Sequence, residues 1–251
     1  MPTSRSYADA CGIARALDVV GERWALLLVR ELLLGPQRFS DLRRALPGAS
    51  SNLVTDRLRE LQGRGVISRR RLPPPAASDV YELTAWGREL EPILLALGGW
   101  GLRVPRPAGS TLSATSVLLY LRGSIDPGEH TYRVELDDRI WTVRSPAEEG
   151  PAEEGPAEEE PAEEEPAGEE GVEPGMVGKP GKPGPGEVGR AAGRVAVEPG
   201  EPARADGSIR TDPETLNTLL DDPGRLAELV AAGRAEVSGD VTALITRVRA
   251  V

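Results

Sequence analysis

A low-complexity segment near the middle of the chain sets the strongest limit on what its 251 residues can fold into. Pro-Ala-Glu-Glu units repeat from Pro146 to Pro166, and a Gly- and Pro-rich stretch continues to residue 189. Such a segment has almost nothing apolar to bury, so we expect residues 146–189 to be disordered and extended by their own charge. The folded parts of the chain must therefore lie before and after this insertion.

Charge is distributed unevenly around the insertion. The whole chain has 30 basic and 40 acidic residues, a formal net charge of −10. Residues 146–175 contain 13 Glu and no basic residue, whereas residues 1–107 contain 16 Arg and 11 acidic residues, a net charge of +5. The net negative charge of the chain therefore comes mainly from the insertion, and the front part of the chain is basic.

Cysteine usage and hydropathy indicate the compartment. The single cysteine, Cys11, excludes an internal disulfide and agrees with a reducing environment. No apolar run approaches the ~20 residues needed to span a bilayer. The residues after Met1 lack the apolar core of a signal peptide. We therefore expect a cytoplasmic protein that does not enter a membrane.

The stretch from Ala49 to Leu61 predicts a short helix with two different faces. Ser50 is the expected N-cap, because its hydroxyl can bond one of the unpaired first-turn amides. Apolar residues recur at helical spacing on the face expected to be buried: Val54, Leu58 and Leu61. The opposite face carries Asn52, Thr55, Asp56 and Arg59. Such a face suits a DNA major groove, although an ordinary amphipathic helix with a solvated face has the same pattern.

Three further helices are predicted before this one. The first extends from Tyr7 to Val20, and its apolar face contains Ala10, Ile13, Leu17 and Val20. The second, from Trp24 to Leu34, is apolar nearly all round and is expected at the centre of the core. The third, from Phe39 to Leu46, has Ser40 as its expected N-cap. A tight connection joins it to the helix at 49–61, which makes a helix-turn-helix.

A β-hairpin is predicted directly after the helix-turn-helix. Val66–Leu72 and Val80–Leu83 have strand character, and the prolines between them cannot continue a ladder and mark the hairpin tip. This order of elements is a winged helix. Thr84 then caps a last helix whose apolar stripe exceeds the need of a small domain, so we expect a dimer interface there. The stripe contains Leu90, Ile93, Leu94, Leu97 and Trp100.

The order of these residues resembles the HxlR-type winged-helix transcriptional regulators of bacteria over residues 8–101. The matching segments are Cys11, Ala16–Trp24, Arg38–Arg43, Leu58–Leu61 with Gly65, and Tyr81–Thr84 with Gly87. Two positions depart from the family: its usual Gly-Gly-Lys-Trp is Gly21-Glu22-Arg23-Trp24 here, and Gly12 replaces a frequent Pro. The resemblance implies a DNA-binding homodimer whose outer helices pair two wings over a palindromic operator.

A second domain is predicted after a linker at 105–111. A helix from Ser113 to Arg122 and two strands, His130–Leu136 and Arg139–Arg144, precede the insertion. Beyond it, Asp212-Pro213 and Asp222-Pro223 each predict a helix start, with a cap residue before Pro. Further predicted elements are strands at 194–197, 203–210 and 234–237, and a final helix capped by Asp240 that contains Leu244 and Val248.

These last segments resemble the sterol-carrier-protein-like module that is appended to some HxlR-type regulators. The resemblance depends on Ser208–Asp212, the Leu-rich helices and Val237–Asp240, and the insertion interrupts it. It implies an α+β domain that binds an apolar small-molecule effector. A filled apolar core is equally compatible with the same residues.

The sequence thus predicts a mainly α chain with an α+β part. A winged helix-turn-helix domain occupies residues 1–104 and a linker 105–111. A small α+β sterol-carrier-like domain is assembled from 112–145 and 190–251, and the disordered Glu/Pro/Gly-rich insertion at 146–189 interrupts it.

The expected DNA contacts fall into three groups. Base edges are assigned to Asn52, Thr55 and Arg59, because an amide pairs with adenine and a guanidinium with guanine. Phosphates are assigned to Ser51, Arg43 and Arg44. The hairpin arginines, Arg69, Arg70 and Arg71, would follow the backbone or enter the minor groove, with Arg70 on the opposite side of the strand from the other two. The alternative is a set of solvated arginines.

Cys11 is a candidate redox or electrophile sensor. The resemblance permits this, because family members with a Cys near this position include such sensors. A reactive thiol needs a lowered pKa, and Arg15, one turn further on, is a candidate cation. The alternative is a small buried residue in helix packing.

No enzyme is indicated. His130 is the only histidine, and the sequence contains no Cys/His zinc spacing, P-loop or dinucleotide Gly fingerprint. We expect no catalytic residues, cofactor or metal.

The predicted function is that of a sequence-specific DNA-binding transcriptional regulator, a dimeric repressor on a palindromic operator. The predicted partners are double-stranded DNA, a second copy of the chain and an apolar effector. Two alternatives remain: a winged-helix protein-interaction module, and a lipid- or acyl-binding carrier. The insertion is interpreted as a spacer, and the alternative is an acidic arm that competes with DNA for the basic surface.

Overall fold

The computed structural model describes residues 6–74, 77–145 and 195–247, which belong to one compact unit. The predicted disorder of the insertion, the hairpin residues 75–76 and the proposed core residue Val248 lie outside the described residues. Within the described ranges, every helix is too short or too polar to reach across a bilayer.

The winged-helix region, residues 12–101, has six helices and a three-stranded sheet among its described residues. The helices are α1 (Gly12–Val20), α2 (Ala25–Leu32), α3 (Phe39–Ala45), α4 (Ser51–Gly63), α5 (Ala85–Arg88) and α6 (Glu91–Gly101). The strands are β1 (Gln37–Arg38), β2 (Ile67–Arg71) and β3 (Asp79–Leu83), in the antiparallel order β1–β3–β2. The predicted winged helix is confirmed, and the two-residue strand β1 is an addition that the sequence did not indicate.

The core of this region forms between α2, α4 and the hairpin. Leu28 and Val29 of α2 are fully buried, and the predicted stripe of α4, Val54, Leu58 and Leu61, is at most 1% exposed. Each such side chain contributes about 1.5–3 kcal/mol of burial free energy. Helix α4 is therefore fixed from behind by packing, which leaves its polar face outward.

Three details of this region correct the sequence-based predictions. Helix α1 begins at Gly12 rather than Tyr7, and it buries Ala14 and Val20. Of its predicted apolar face, Ala10 precedes the helix and Val20 is buried, whereas Ile13 is 73% and Leu17 40% exposed. The expected cap Ser40 is also wrong: β1 runs directly into α3, which makes Arg38 the N-cap, and its amide donates to the Asp41 carboxylate over 3.3 Å.

The last predicted helix is interrupted. Thr84 caps it as expected, because its hydroxyl accepts a hydrogen bond from the Gly87 amide at 3.0 Å. Helix α5 then ends at Arg88, and α6 begins at Glu91 with Pro92 in its first turn. Proline lacks an amide hydrogen and fits the start of a helix better than its interior, which explains the break.

The C-terminal region, residues 112–145 and 195–247, contains a five-stranded sheet. Its strands are β4 (Tyr132–Leu136), β5 (Arg139–Arg144), β6 (Ala196–Pro199), β7 (Gly207–Thr211) and β8 (Ala235–Gly239), in the order β6–β5–β4–β7–β8. The β4–β7 pair is parallel and the others are antiparallel. Its described helices are α7 (Ala114–Arg122), α8 (Pro213–Asp221), a 3-10 turn (Pro223–Arg225), α9 (Leu226–Ala231) and α10 (Thr242–Ile245).

Most local signals in this region match the predictions; the exceptions are the final helix, whose N-cap is Val241 rather than Asp240, and the strand predicted at 203–210, which begins at Gly207. The carboxylates of Asp212 and Asp222 accept from Thr215 and Gly224 amides at 2.9 and 3.1 Å, so both predicted caps are confirmed. Asp137 and Asp138, which join β4 to β5, have positive φ angles of 50° and 61°. Such angles are typical of two-residue hairpin turns, in which Asp is well tolerated.

The apolar side chains of the C-terminal region pack into one core cluster. Trp141, Leu118, Ile209 and Leu216 are at most 1% exposed and belong to it. Leu34, which follows α2, also packs into this cluster. The hydroxyl of Ser113, the N-cap of α7, donates to the buried Glu31 carboxylate of α2 at 2.8 Å. The end of α2 therefore contacts both cores.

Candidate nucleic-acid interface

The exposed face of α4 is presented by a well-defined helix start. The Ser50 hydroxyl accepts from the Leu53 amide at 3.3 Å, as predicted for the N-cap. Ser51 and Asn52 are exposed in the first turn, and the Arg59 side chain is 77% exposed with its guanidinium 3.7 Å from Asp56. Thr55 is half-buried, and its hydroxyl donates to the Ser51 carbonyl at 2.9 Å. Asn52 and Arg59 therefore have the polar groups of this face that are most available to a ligand.

The two arginines of α3 have different surroundings. Arg43 is half-buried, and its guanidinium donates to the carbonyl of Ala49 in the turn before α4. This contact braces the helix-turn-helix connection. Arg44 is exposed and lies close to the β4–β5 turn, where burial raises the pKa of Asp137 and the charge of Arg44 opposes that rise. The pair that the sequence assigned together to phosphates is thus separated.

The hairpin arginines lie on the exposed part of β2. Arg69 contacts Asp79 at 2.6 Å, and Arg70 contacts Glu82 at 2.8 Å, both on the facing strand β3. The register places Arg69 opposite Tyr81 and Arg70 opposite Val80, so the predicted alternation of sides is confirmed. Arg71 is exposed at the end of β2 and forms no ion pair with any other residue that the structure describes.

Electrostatics in the wing are shaped by these carboxylates. The Asp79 carboxylate, by hydrogen bond and by charge, holds the pKa of Arg69 above its ordinary value. Arg69 also lies over the ring of Tyr81, with 5.9 Å between its guanidinium carbon and the ring centroid. An arginine already paired in this way must leave its carboxylate before it can bind a phosphate fully, whereas Arg71 has no such requirement.

The comparisons with known proteins agree with a helix-turn-helix in the front part of the chain. The sequence model of the HxlR-like helix-turn-helix family matches residues 19–107. The HTH-type transcriptional regulator YvaP of Bacillus subtilis is 40% identical over 86 residues, which are 34% of this chain and 80% of YvaP. The chain belongs to the HxlR-like helix-turn-helix family. This family comprises DNA-binding transcriptional regulators.

Two further matches cover a similar share of the chain. The regulator sll1512 of Synechocystis is 40% identical over 87 residues, 35% of this chain, and the match spans 64% of its own length, just under two thirds. The solved structure of the redox regulator HypR in its oxidized form is 33% identical and covers 39% of this chain and 100% of HypR, with a TM-score of 0.37. The curated relatives are named as transcriptional regulators, and the expectation that the chain is not an enzyme is confirmed.

The apolar stripe of α6 faces outward in this HxlR-like chain. No residue of the helix is buried, and Ile93, Leu97 and Trp100 are 58%, 46% and 65% exposed. Leu90 and Leu94 alone of the predicted stripe are partly buried and pack against the winged-helix core. Exposed apolar groups of this size, together with Ile13 and Leu17 of α1, are typical of a surface that is covered by another molecule.

Cys11 lies at the N-cap position of α1 and is exposed. The alternative of a small buried packing residue is therefore wrong. The nearby backbone N–H groups of Ile13 and Ala14 lower the pKa of its thiol. This effect comes from the helix start rather than from the predicted cation Arg15.

Sequence reasoning missed the partners of the wing arginines and the brace from Arg43 to Ala49. The signal for the first was present as two acidic residues in the returning strand, Asp79 and Glu82, but only the strand register shows which arginine each one meets. The brace has no sequence signal, because it depends on the angle between α3 and α4.

Proposed function

We propose that this chain is a sequence-specific DNA-binding repressor that acts as a homodimer on a palindromic operator. The observation that carries the proposal is the exposed polar face of α4, with Asn52 and Arg59 outermost, on a helix whose other face is buried. A helix fixed in this way can enter a major groove without losing its packing. The relatives named as HTH-type transcriptional regulators support the same conclusion.

The DNA contacts are proposed from the exposure of each side chain and from the hydrogen bonds that it already makes. Asn52 and Arg59 read base edges, and Thr55 contributes its methyl group or an oxygen lone pair, because its hydroxyl proton is already donated. Ser51, Arg44 and Arg71 bind phosphates. Arg43 holds the turn before α4. Arg69 and Arg70 bind the DNA backbone once each has exchanged its carboxylate partner for a phosphate.

The dimer is proposed to form through α6 and the exposed side of α1, because both present apolar side chains to solvent. Residues 1–104 would then be the DNA-binding and dimerisation domain, and residues 105–111 a linker. Residues 112–145 with 190–251 would form a sterol-carrier-like domain, separated into two parts by the insertion at 146–189. Binding to an operator places the protein in the cytoplasm.

An apolar effector at the C-terminal region remains the proposal that the sterol-carrier resemblance implies. Its competitor, a filled core, is supported by the apolar side chains that the structure describes there, since they pack against one another.

The test is binding to the DNA upstream of the chain's own coding region, measured by fluorescence anisotropy at several salt concentrations. We expect a saturable complex, competition by the operator but weakly by random DNA, and a steep loss of affinity with salt. The variant Asn52→Ala with Arg59→Ala should lose the preference for the operator, whereas Arg204→Ala in the C-terminal region should keep it. Genome-wide mapping of bound DNA supplies the operator if the upstream region is not bound. No specific site in either experiment would favour a protein-interaction module or a lipid carrier.

Redox or electrophile control through Cys11 is a second proposed function. It is favoured by the exposure of the thiol and its lowered pKa at the start of α1. Treatment with a quinone or hypochlorite should release the operator from the wild-type chain and not from Cys11→Ser. Equal release from both proteins would contradict a Cys11 sensor.

A further inference from the structure

A polar cleft of about 530 Å³ opens in the C-terminal region, beside the start of β4 and the helix α10. Its polar lining contains Asp126, His130, Tyr132, Asp206, Asp240 and Thr242. None of the described residues that line this cleft is a lysine or an arginine. Its described lining therefore combines three carboxylates and two aromatic rings without a permanent positive charge.

Each carboxylate is held in place by a backbone amide. Asp206 accepts from the Thr131 amide and Asp240 from the Thr242 amide, both at 2.8 Å. Asp126 accepts from the Gly128 amide at 2.9 Å. These contacts leave further carboxylate lone pairs, but they also explain the acidic residues as turn-forming groups. The carboxylates by themselves therefore do not identify a site.

Tyr132 is the observation that indicates a ligand. Its side chain is only 2% exposed, yet it lines the cleft. Burial raises the pKa of its hydroxyl, the charges of Asp240 and Asp206 add to the effect, and all three residues line the same cleft. No described residue is hydrogen-bonded to the Tyr132 hydroxyl, and this hydroxyl is not among the fully buried polar atoms that lack a partner. It is therefore the polar end of an otherwise buried side chain and opens onto the cleft, where it can bond a ligand.

We propose that this cleft binds a small organic cation that carries a primary ammonium or guanidinium group. Its N–H donors bond the carboxylates of Asp206 and Asp240 and the hydroxyl oxygen of Tyr132. The rings of His130 and Tyr132, 6.2 Å apart at 64°, flank the ligand and attract its charge.

A metal ion is disfavoured by the same residues. Within the described ranges, no three His, Cys, Asp or Glu side chains converge in a way that would hold one. An apolar ligand would leave three carboxylates facing it, which opposes binding. The site is independent of the proposed DNA binding, so either one can fail alone.

The test uses proton NMR on the full chain without an affinity tag. His130 is the only histidine, so its ring signals report on this cleft without ambiguity. Titration with agmatine at constant ionic strength should give a saturable shift of these signals. Butane-1,4-diol, which has a similar length and no charge, should give none.

The matched variants separate a built site from diffuse attraction by the Glu-rich insertion. Tyr132→Phe keeps every charge and should raise the dissociation constant for agmatine at least fivefold, as should Asp206→Asn. Asp138→Asn, outside the cleft, should change it less than twofold. If Tyr132→Phe does not fold, Asp240→Asn takes its place, because the amide side chain keeps an acceptor for the Thr242 amide. Asp240→Asn should likewise raise the dissociation constant for agmatine at least fivefold. Unmoved His130 signals, an equal effect of the diol, or an unchanged affinity of the folded cleft variant would each overturn the proposal.

Discussion

Gly48 lies directly against the indole ring of Trp24. A Cβ atom built on Gly48 would be 2.9 Å from Cη2 of Trp24, closer than such atoms approach in folded proteins. Trp24 itself adopts a φ of 78°, a left-handed conformation that costs roughly 1–3 kcal/mol for a residue with a side chain. The turn before α4 is thus shaped by a tryptophan that precedes α2.

We predict that Gly48→Ala destabilises the fold by about 1–3 kcal/mol, because the added methyl group overpacks this contact. Urea unfolding followed by circular dichroism measures the change. Gly63→Ala is the matched control, since a Cβ at that position in α4 meets nothing within 4 Å. The control should be neutral or stabilise by about 0.5–1 kcal/mol. Equal free energies of unfolding for the two variants would show that the Trp24 side chain moves away from the added methyl group at little cost.

We predict that Arg59→Ala weakens operator binding by ~1–3 kcal/mol and relaxes the choice of one base pair. The reason is the exposure of its guanidinium, which has a weak 3.7 Å pairing with Asp56 as its described ionic contact. Binding to operators with each base substituted in turn measures both effects. Equal losses on operator and random DNA would instead make Arg59 a phosphate contact.

We predict that Asp79→Asn tightens DNA binding, because Arg69 is released for a phosphate. The slope of the logarithm of the binding constant against the logarithm of the salt concentration should become steeper by about one released counterion. Anisotropy titrations at four salt concentrations give the slope. Glu228→Gln, which releases Arg225 in the C-terminal region, is the control for a change in net charge alone. The same tightening in both variants would contradict a specific role of the wing.

Local signals in the sequence were sufficient for much of the fold. The Ser50 cap, the buried stripe of α4 and the Asp212 cap each depend on residues within one turn of helix, and each is confirmed. The apolar face of α1 is only partly buried within the chain, since Ile13 and Leu17 are exposed. Periodicity locates an apolar face, but it does not tell whether the partner of that face belongs to the same chain.

The sites required information that sequence spacing does not contain. The Arg69–Asp79 pair depends on hairpin register, and a shift of one residue would place these side chains on opposite faces. The cleft around Tyr132 combines segments near residues 126–132, 206 and 240–246, which meet only through the sheet order. No short motif marks such a set.

We predict that Trp100→Glu converts the protein from a dimer to a monomer without loss of folding. Trp100 is 65% exposed in the chain, so the substitution removes little intramolecular packing, while a charge in an apolar interface opposes association. Light scattering after size-exclusion chromatography measures the mass. Val230→Glu, which introduces the same charge at an exposed apolar position of the C-terminal region, should remain dimeric. A monomeric wild-type chain would remove the basis of the dimer proposal.

We predict that iodoacetamide alkylates Cys11 with a pH midpoint below that of an ordinary thiol. The folded-state pKa is lowered because the first-turn amides of α1 stabilise the thiolate, so the reactive form persists at a pH where a free cysteine is protonated. Rates measured by mass spectrometry between pH 6 and 10 give the midpoint, and the same chain in urea is the control. Unfolding removes the helix start, so the midpoint should rise in urea. A midpoint that does not differ between the folded and unfolded chain would mean that the position of Cys11 gives it no special reactivity, and the proposed sensor would then lack its chemical basis.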